Sequence, residues 1–184
     1  MKVKNIFAIM TMAAVVGTTA MVSCNKDDNT TSVPGIEGEC KDAYVTVNVS
    51  ILPQPLQQIA NFTVTKQGNK FKIVGTTDTV QALQGPFSFE ILTEPVTEEQ
   101  INTTDDGVNR TGTRYKFEIK DQPISVPGFG DILFSGDNGQ GEVVTKTKDG
   151  ASQGGVKIFS FSVSGELPGN TGTVSISVNY EANI

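Results

Sequence analysis

The chain has 184 residues with 14 basic and 20 acidic side chains, which gives a formal net charge of −6, and it contains no histidine. The lack of histidine excludes Ser-His-Asp and Cys-His catalysis and every histidine metal site. The acidic balance, together with basic residues that are scattered singly, argues against nucleic-acid binding. We therefore expect a protein that is not an enzyme and needs no cofactor.

The N-terminal segment carries the features of an export signal. Lys2 and Lys4 precede the run 6–22, which has no charged residue and is mostly apolar or small. Such a run is marginal for a bilayer span, and no flanking charge would stop its transfer. It ends in Met21-Val22-Ser23-Cys24, which resembles a lipobox. The resemblance implies a lipoprotein signal peptide over residues 1–23, a lipid on Cys24 and an outer-membrane anchor.

A second processing site remains open in the same segment. Cleavage after Ala20 would release a protein that has no lipid. In that case Cys24 and Cys40 would both be free thiols in an oxidising compartment, and a disulfide between them becomes possible. If Cys24 carries lipid, Cys40 is the remaining thiol, and we expect it to be partly buried and inert.

The residues that follow the cleavage site are expected to form a tether. Residues 24–41 are polar, contain Pro34 and two glycines and show no apolar periodicity, which is typical of a disordered segment. The start of this tether, Cys24-Asn25-Lys26-Asp27-Asp28, resembles the acidic signals that send lipoproteins of some Gram-negative gut anaerobes to the cell surface. A solvated charge run with no sorting role is the alternative, and the anchor would then leave the protein on the periplasmic face.

From residue 42 to 184 apolar residues alternate with polar ones, which predicts an all-β domain of eight or nine strands. The expected inward positions include Val45, Val47, Phe62, Phe71, Phe87, Phe89, Phe117, Phe159, Phe161 and Ile176. Residues 142–146 are expected to form an edge strand. Residues 94–112 are expected to form a long acidic loop with one helical turn at 97–100. Short strands at irregular spacing favour a single antiparallel β-sandwich.

A small barrel is the alternative fold. An early hairpin, the turn Gly130-Asp131-Ile132 and a closing hairpin around Pro168-Gly169-Asn170 resemble the calycin-like β-barrel lipoproteins. That resemblance implies a carrier with an apolar cavity for a small apolar ligand. In a solid sandwich the same phenylalanines would pack against each other.

Two kinds of short motif suggest candidate sites. Two groups offer the oxygen ligands that calcium prefers, Asp105 and Asp106 with Asn109, and Asp137 and Asn138 with Glu142. Neither group has the spacing of a known calcium loop. Asp78-Thr79-Val80 resembles an acidic-hydroxyl-aliphatic O-glycosylation site, which implies a glycan on Thr79. A chance tripeptide in a threonine-rich loop is the alternative.

The function expected from these features is a surface-anchored binding or adhesive module for an extracellular or periplasmic ligand, either a glycan or a protein. Tyr44, Tyr115 and Tyr180 could stack on sugar rings, but such positions in strands more often belong to the core or its rim. The chain has no tryptophan, which weakens the case for sugar stacking.

Overall fold

A computed structural model describes residues 35–80 and 85–184, and this part of the chain forms nine strands and no α-helix. The strands are β1 (Gly38–Val49), β2 (Leu56–Gln67), β3 (Lys70–Val80), β4 (Gly85–Leu92), β5 (Thr97–Asp105), β6 (Val108–Val126), β7 (Gly130–Lys148), β8 (Ala151–Glu166) and β9 (Thr173–Asn183). A 3-10 turn, Pro168–Asn170, joins β8 to β9. Over these residues we find no helix long and apolar enough to cross a membrane.

All nine strands belong to one antiparallel sheet in the order β4-β3-β2-β1-β9-β8-β7-β6-β5. The first and last strands meet at its middle, where Val47 lies opposite Ile176. Among the described residues the edge strands β4 and β5 are not paired with each other, so the sheet does not close into a barrel. Its two halves fold together instead, with the Phe71 and Phe117 rings 5.8 Å apart. The predicted all-β antiparallel fold is confirmed.

The core lies between the two halves of the sheet. Inward positions such as Val45, Val47 and Val49 are buried and alternate with more exposed neighbours. Phe159 lies at the centre, with its ring 5.5 Å from that of Phe62 and 5.4 Å from that of Phe117. Burial of these rings, together with the valine and isoleucine side chains around them, stabilises the fold.

Two glycines make room for core rings on the neighbouring strand. Gly75 pairs with Phe89, and a methyl group on Gly75 would come within 2.3 Å of that ring. Gly139 pairs with Phe117, and a methyl group on Gly139 would come within 2.2 Å of the Phe117 ring. The close approach explains why these core positions carry no side chain.

The domain begins earlier in the chain than the sequence predicts. Ile36 is buried, and its side chain would contact a methyl group added to Gly141. The carbonyl oxygen of Glu37 accepts a hydrogen bond from Lys157 Nζ at 3.1 Å, and Cys40 is fully buried in β1. The expected boundary at residue 42 is therefore wrong by about six residues. The signal peptide and most of the expected tether lie outside the described residues.

Strands β5 to β8 continue beyond the core as an arm, which we define as residues 97–114 and 142–156; the other described residues form the body. The long acidic loop with a helical turn that the sequence predicts at 94–112 is instead largely a hairpin of β5 and β6. Asp106 and Gly107 turn this hairpin with positive φ angles of 48° and 74°, as a tight two-residue connection requires. Residues 142–146 also differ from expectation, because they pair on both sides and form no edge.

Candidate binding surfaces

The structure places the predicted site residues apart from one another. Cys24 lies outside the described residues, as does the Thr79 side chain. The backbone of Thr79 belongs to β3 and pairs with Pro86 of β4. Asp105 and Asp106 lie at the arm tip, whereas Asp137 lies in the β7 segment that crosses the body. The strand rise puts these two places on the order of 35 Å apart. No group of three His, Cys, Asp or Glu residues suited to a metal ion occurs in residues 35–80 and 85–184.

The three tyrosines have different environments. Tyr180 is buried, and its ring lies 6.0 Å from that of Phe62. Tyr115 is half-buried and packs at 5.5 Å against Phe71. Tyr44 points away from the core and is 70% exposed. Of the three, Tyr44 is therefore the one whose ring is available to a ligand.

Strand phase is the sequence signal that distinguishes them. Tyr44 is out of phase with the inward Val45 and Val47, whereas Tyr180 is in phase with the inward Ile176 and Val178. Because side chains alternate between the two faces of a strand, Tyr44 must face outward if its valine neighbours face the core. The sequence thus contained enough information to single out this residue.

Tyr44 belongs to a broad outer surface that we call the uncharged face. Its members are outward side chains of four adjacent strands, and each is neutral and polar except Ile59 and Tyr44. They are Gln57, Ile59 and Asn61 of β2, Tyr44, Thr46 and Asn48 of β1, Ser175, Ser177 and Asn179 of β9, and Ser160, Ser162 and Ser164 of β8. By strand spacing the face is about 15 Å wide.

The uncharged face is built by the pairing of the terminal strands. Tyr44 lies directly opposite Ile59 on one side and Asn179 on the other. Ser162 and Ser177 hydrogen-bond through their hydroxyl oxygens at 2.9 Å. Hydroxyl and amide groups both donate and accept hydrogen bonds, so the face offers both to a ligand without presenting a charge.

A second surface, the arm groove, lies on the outer face of the arm and encloses about 380 Å³. An apolar row, Ile101, Val144 and Val156, forms its floor. Its charged side chains are Glu99, Arg110, Arg114, Glu142 and Lys146. Val144 is only 5% exposed although it faces away from the core. Gly112 of β6 pairs with Ile101 of β5 on one side and with Val144 of β7 on the other. Because glycine has no side chain, nothing separates the Ile101 and Val144 side chains.

One end of the arm groove is electrostatically compensated. Arg114 Nε donates to Glu142 Oε2 at 2.9 Å, and Arg114 Nη1 lies 3.9 Å from Glu99 Oε2. The hydrogen bond to Glu142 raises the pKa of Arg114, so this guanidinium keeps its charge. The three residues are aligned across β5, β6 and β7.

A wider, open notch of about 660 Å³ lies at the opposite end of the body, between the start of β7 and the β8–β9 turn. Its lining includes the acids Asp131 and Glu166 and the exposed Leu133. These groups do not converge with a basic or aromatic partner, so the notch offers fewer recognition features than the uncharged face.

Comparisons with known proteins give no match from which a function could be inferred, so the inference of function depends on the fold and these surfaces. No protein-family model matches the chain, and neither the curated proteins nor the solved structures contain a significant match.

Proposed function

We propose that this protein is an exported lipoprotein, anchored through Cys24 at the cell surface, that acts as a non-catalytic binding module. Its binding surface is the uncharged face, and its ligand is a neutral polysaccharide. The observation that carries the proposal is a multi-strand outer surface without a charged group, built around Tyr44, in a chain with 14 basic and 20 acidic residues.

The chemistry of the face suits a neutral sugar polymer. A charged side chain covered by a neutral ligand would lose hydration without gaining a counter-charge, and the face has no such side chain. Serine hydroxyls and asparagine amides can exchange hydrogen bonds with sugar hydroxyls in either direction. The Tyr44 ring offers an apolar surface on which the C–H side of a sugar ring can stack. A width of about 15 Å favours a polymer over a single sugar.

The packing of the core favours this proposal over the carrier of small apolar ligands. Phe62, Phe71, Phe117 and Phe161, which a carrier would place around a cavity, all have ring centroids within 6.4 Å of Phe159. Rings in mutual contact leave no space for a ligand between them.

Gel electrophoresis through neutral polysaccharides tests the binding proposal. A chain with Cys24→Ser, which cannot accept lipid, should migrate more slowly in gels containing dextran, mannan or xylan than in gels without them. Tyr44→Ala or Ser177→Lys should remove this retardation. Leu133→Ala is the matched control, since Leu133 is exposed but lies outside the face. Binding that survives Tyr44→Ala, or is lost equally with Leu133→Ala, would contradict the proposal.

Membrane fractionation tests the anchor separately. The wild-type chain should sediment with the membranes, and Cys24→Ser should move it to the soluble fraction, because the lipid is attached through the Cys24 sulfur. A wild-type protein that is already soluble and begins at Met21 would show that cleavage follows Ala20 instead.

A further inference from the structure

The arm groove holds two basic side chains directly opposite each other. Arg110 of β6 pairs in register with Lys146 of β7, and both line the groove. Like charges directly opposed on one face of a sheet destabilise the strand pairing. In the described part of the chain, neither side chain has an acidic partner at ion-pair distance. An anion bound between them would relieve this repulsion.

The Arg114 end of the groove differs from the Arg110 end because its charges are paired. Arg114 and Glu142 lie four residues further along the same strands, on the same face, and form an ion pair. The same two strands therefore place opposite charges side by side in the row of Arg114 and Glu142. In the row of Arg110 and Lys146, about 14 Å away, they place two basic side chains with no acidic partner among the described residues. The groove as a whole carries three basic and two acidic side chains, although the chain is acidic.

The floor between these two rows is apolar. Ile101, Val144 and Val156 lie between the Arg114 row and the Arg110 row. The Arg110 row is about 7 Å from this floor by the rise of a strand. An apolar floor that excludes water strengthens a charge-assisted hydrogen bond at its border.

We propose that the arm groove binds a carboxylate that carries a short apolar body. The carboxylate lies between Arg110 and Lys146, and the apolar body covers Val144 and its neighbours Ile101 and Val156. Arginine binds a carboxylate through two parallel hydrogen bonds, and lysine adds a compact positive charge. A volume of about 380 Å³ is sufficient for a small ligand of this class. The site is separate from the uncharged face and from polysaccharide binding.

Two ligand sources share this chemistry, a free short-chain acid and the C-terminal residue of a peptide. Amide chemical shifts of the ¹⁵N-labelled Cys24→Ser chain should be recorded with hexanoate and with N-acetyl-leucine. Their neutral counterparts, hexan-1-ol and N-acetyl-leucinamide, serve as controls. We expect saturable shifts at residues 110–112 and 144–146 with millimolar affinity for at least one acid, and at least about tenfold weaker binding of its neutral counterpart.

Charge-removing variants locate the site. Arg110→Gln and Lys146→Gln should each weaken binding of the carboxylate by about tenfold. Lys148→Gln is the matched control, because Lys148 is exposed at the arm tip outside the groove lining; it should change affinity less than about twofold. No saturation below about 50 mM with either acid, equal binding of the neutral probes, or an equal loss with Lys148→Gln would each overturn the proposal.

A ligand-free measurement gives a second check on the same pair. If Arg110 and Lys146 repel each other, Arg110→Gln should leave the arm amides as well protected from hydrogen exchange as in the wild type, or better protected. A clear loss of arm protection in this variant would show that Arg110 stabilises the arm, and the argument from an unrelieved pair would fail.

Discussion

The body and the arm are built from the same strands and the same backbone ladder, yet their side chains differ sharply. In the body, one face of each strand is buried, and rings such as Phe62, Phe117 and Phe159 contact each other across the sheet. In the arm, β5 is exposed on both faces apart from the half-buried Ile101. The arm has a short apolar row on its outer face and the inward Val143 at its base, whereas the body has a continuous core.

The difference shows which interactions hold each region together. Backbone hydrogen bonds are present in both regions, and each contributes about 0.5–1.5 kcal/mol net because the unfolded chain bonds to water instead. Burial of apolar surface, which stabilises by about 25 cal/mol per Å², is concentrated in the body. We therefore expect the body to unfold as one cooperative unit and the arm to open locally at lower free energy.

The largest effect should come from the centre of the body. Phe159→Ala should lower the free energy of unfolding by about 3–5 kcal/mol, because the ring is fully buried and its loss leaves a cavity. Urea denaturation measures the change. Tyr44→Ala provides the contrast and should cost less than about 0.5 kcal/mol, since Tyr44 is exposed. Similar losses for the two variants would contradict a solid core.

The body was predictable from the sequence because one buried face per strand produces alternation of apolar and polar residues. Val45 and Val47, or Phe159 and Phe161, reveal their strands in this way. The arm could not be predicted in this way because, apart from Val143, its side chains are not buried in the core. In β5, Thr97–Asp105, the residues on both faces are polar except Ile101, so there is no periodic signal to read. The acidic composition of the segment suggested a loop instead.

The candidate surfaces depend on register as well as on alternation. The phase of Tyr44 relative to its valine neighbours is visible in the sequence, but its position beside Asn179 requires the first and last strands to pair. Arg110 and Lys146 are likewise brought together only by the register of β6 and β7. Pairings between strands far apart in the chain are not specified by local patterns, so neither surface could be assembled from the sequence.

Two glycines allow the body and the arm to be perturbed by the same added methyl group. Gly139→Ala pushes on the buried Phe117 ring, and overpacking of a core costs about 1–3 kcal/mol. The melting temperature of the Gly139→Ala variant should therefore fall. Gly112→Ala would place a methyl group 1.9 Å from the Val143 carbonyl oxygen, which forces β6 and β7 apart in the arm.

Hydrogen exchange distinguishes the two outcomes. Gly139→Ala should accelerate exchange throughout the body, because it lowers the global free energy of unfolding. Gly112→Ala should accelerate exchange mainly over residues 97–114 and 142–156, with a smaller change in melting temperature. If Gly112→Ala destabilises the body as much as Gly139→Ala does, the arm and the body form a single cooperative unit.

Alkaline pH should weaken the junction between body and arm. Burial raises the pKa of the Tyr115 hydroxyl above its ordinary value of 10.0, and its hydrogen bond with Thr113 opposes this only in part. Above about pH 10 the unfolded chain loses this proton while the folded chain keeps it, so stability falls as pH rises through the folded-state pKa. Tyr115→Phe removes the proton, and its unfolding free energy should decline less between about pH 8 and pH 11. An equal decline in both proteins would exclude this origin.

The smallest effect should come from the ion pair that ties the arm to the body. Lys66 Nζ of β2 lies 2.6 Å from Glu98 Oε1 of β5, and this hydrogen bond raises the pKa of Lys66. Both side chains are partly exposed, so the pair is worth about 0.2–1 kcal/mol. Lys66→Gln should therefore leave the melting temperature nearly unchanged but speed amide exchange in β5 by about two- to fivefold, an effect that high salt should reduce. Lys120→Gln breaks an ion pair with Glu118 inside β6 and should not affect β5. Unchanged β5 exchange in Lys66→Gln would mean that pairing with β6 alone holds the edge strand in place.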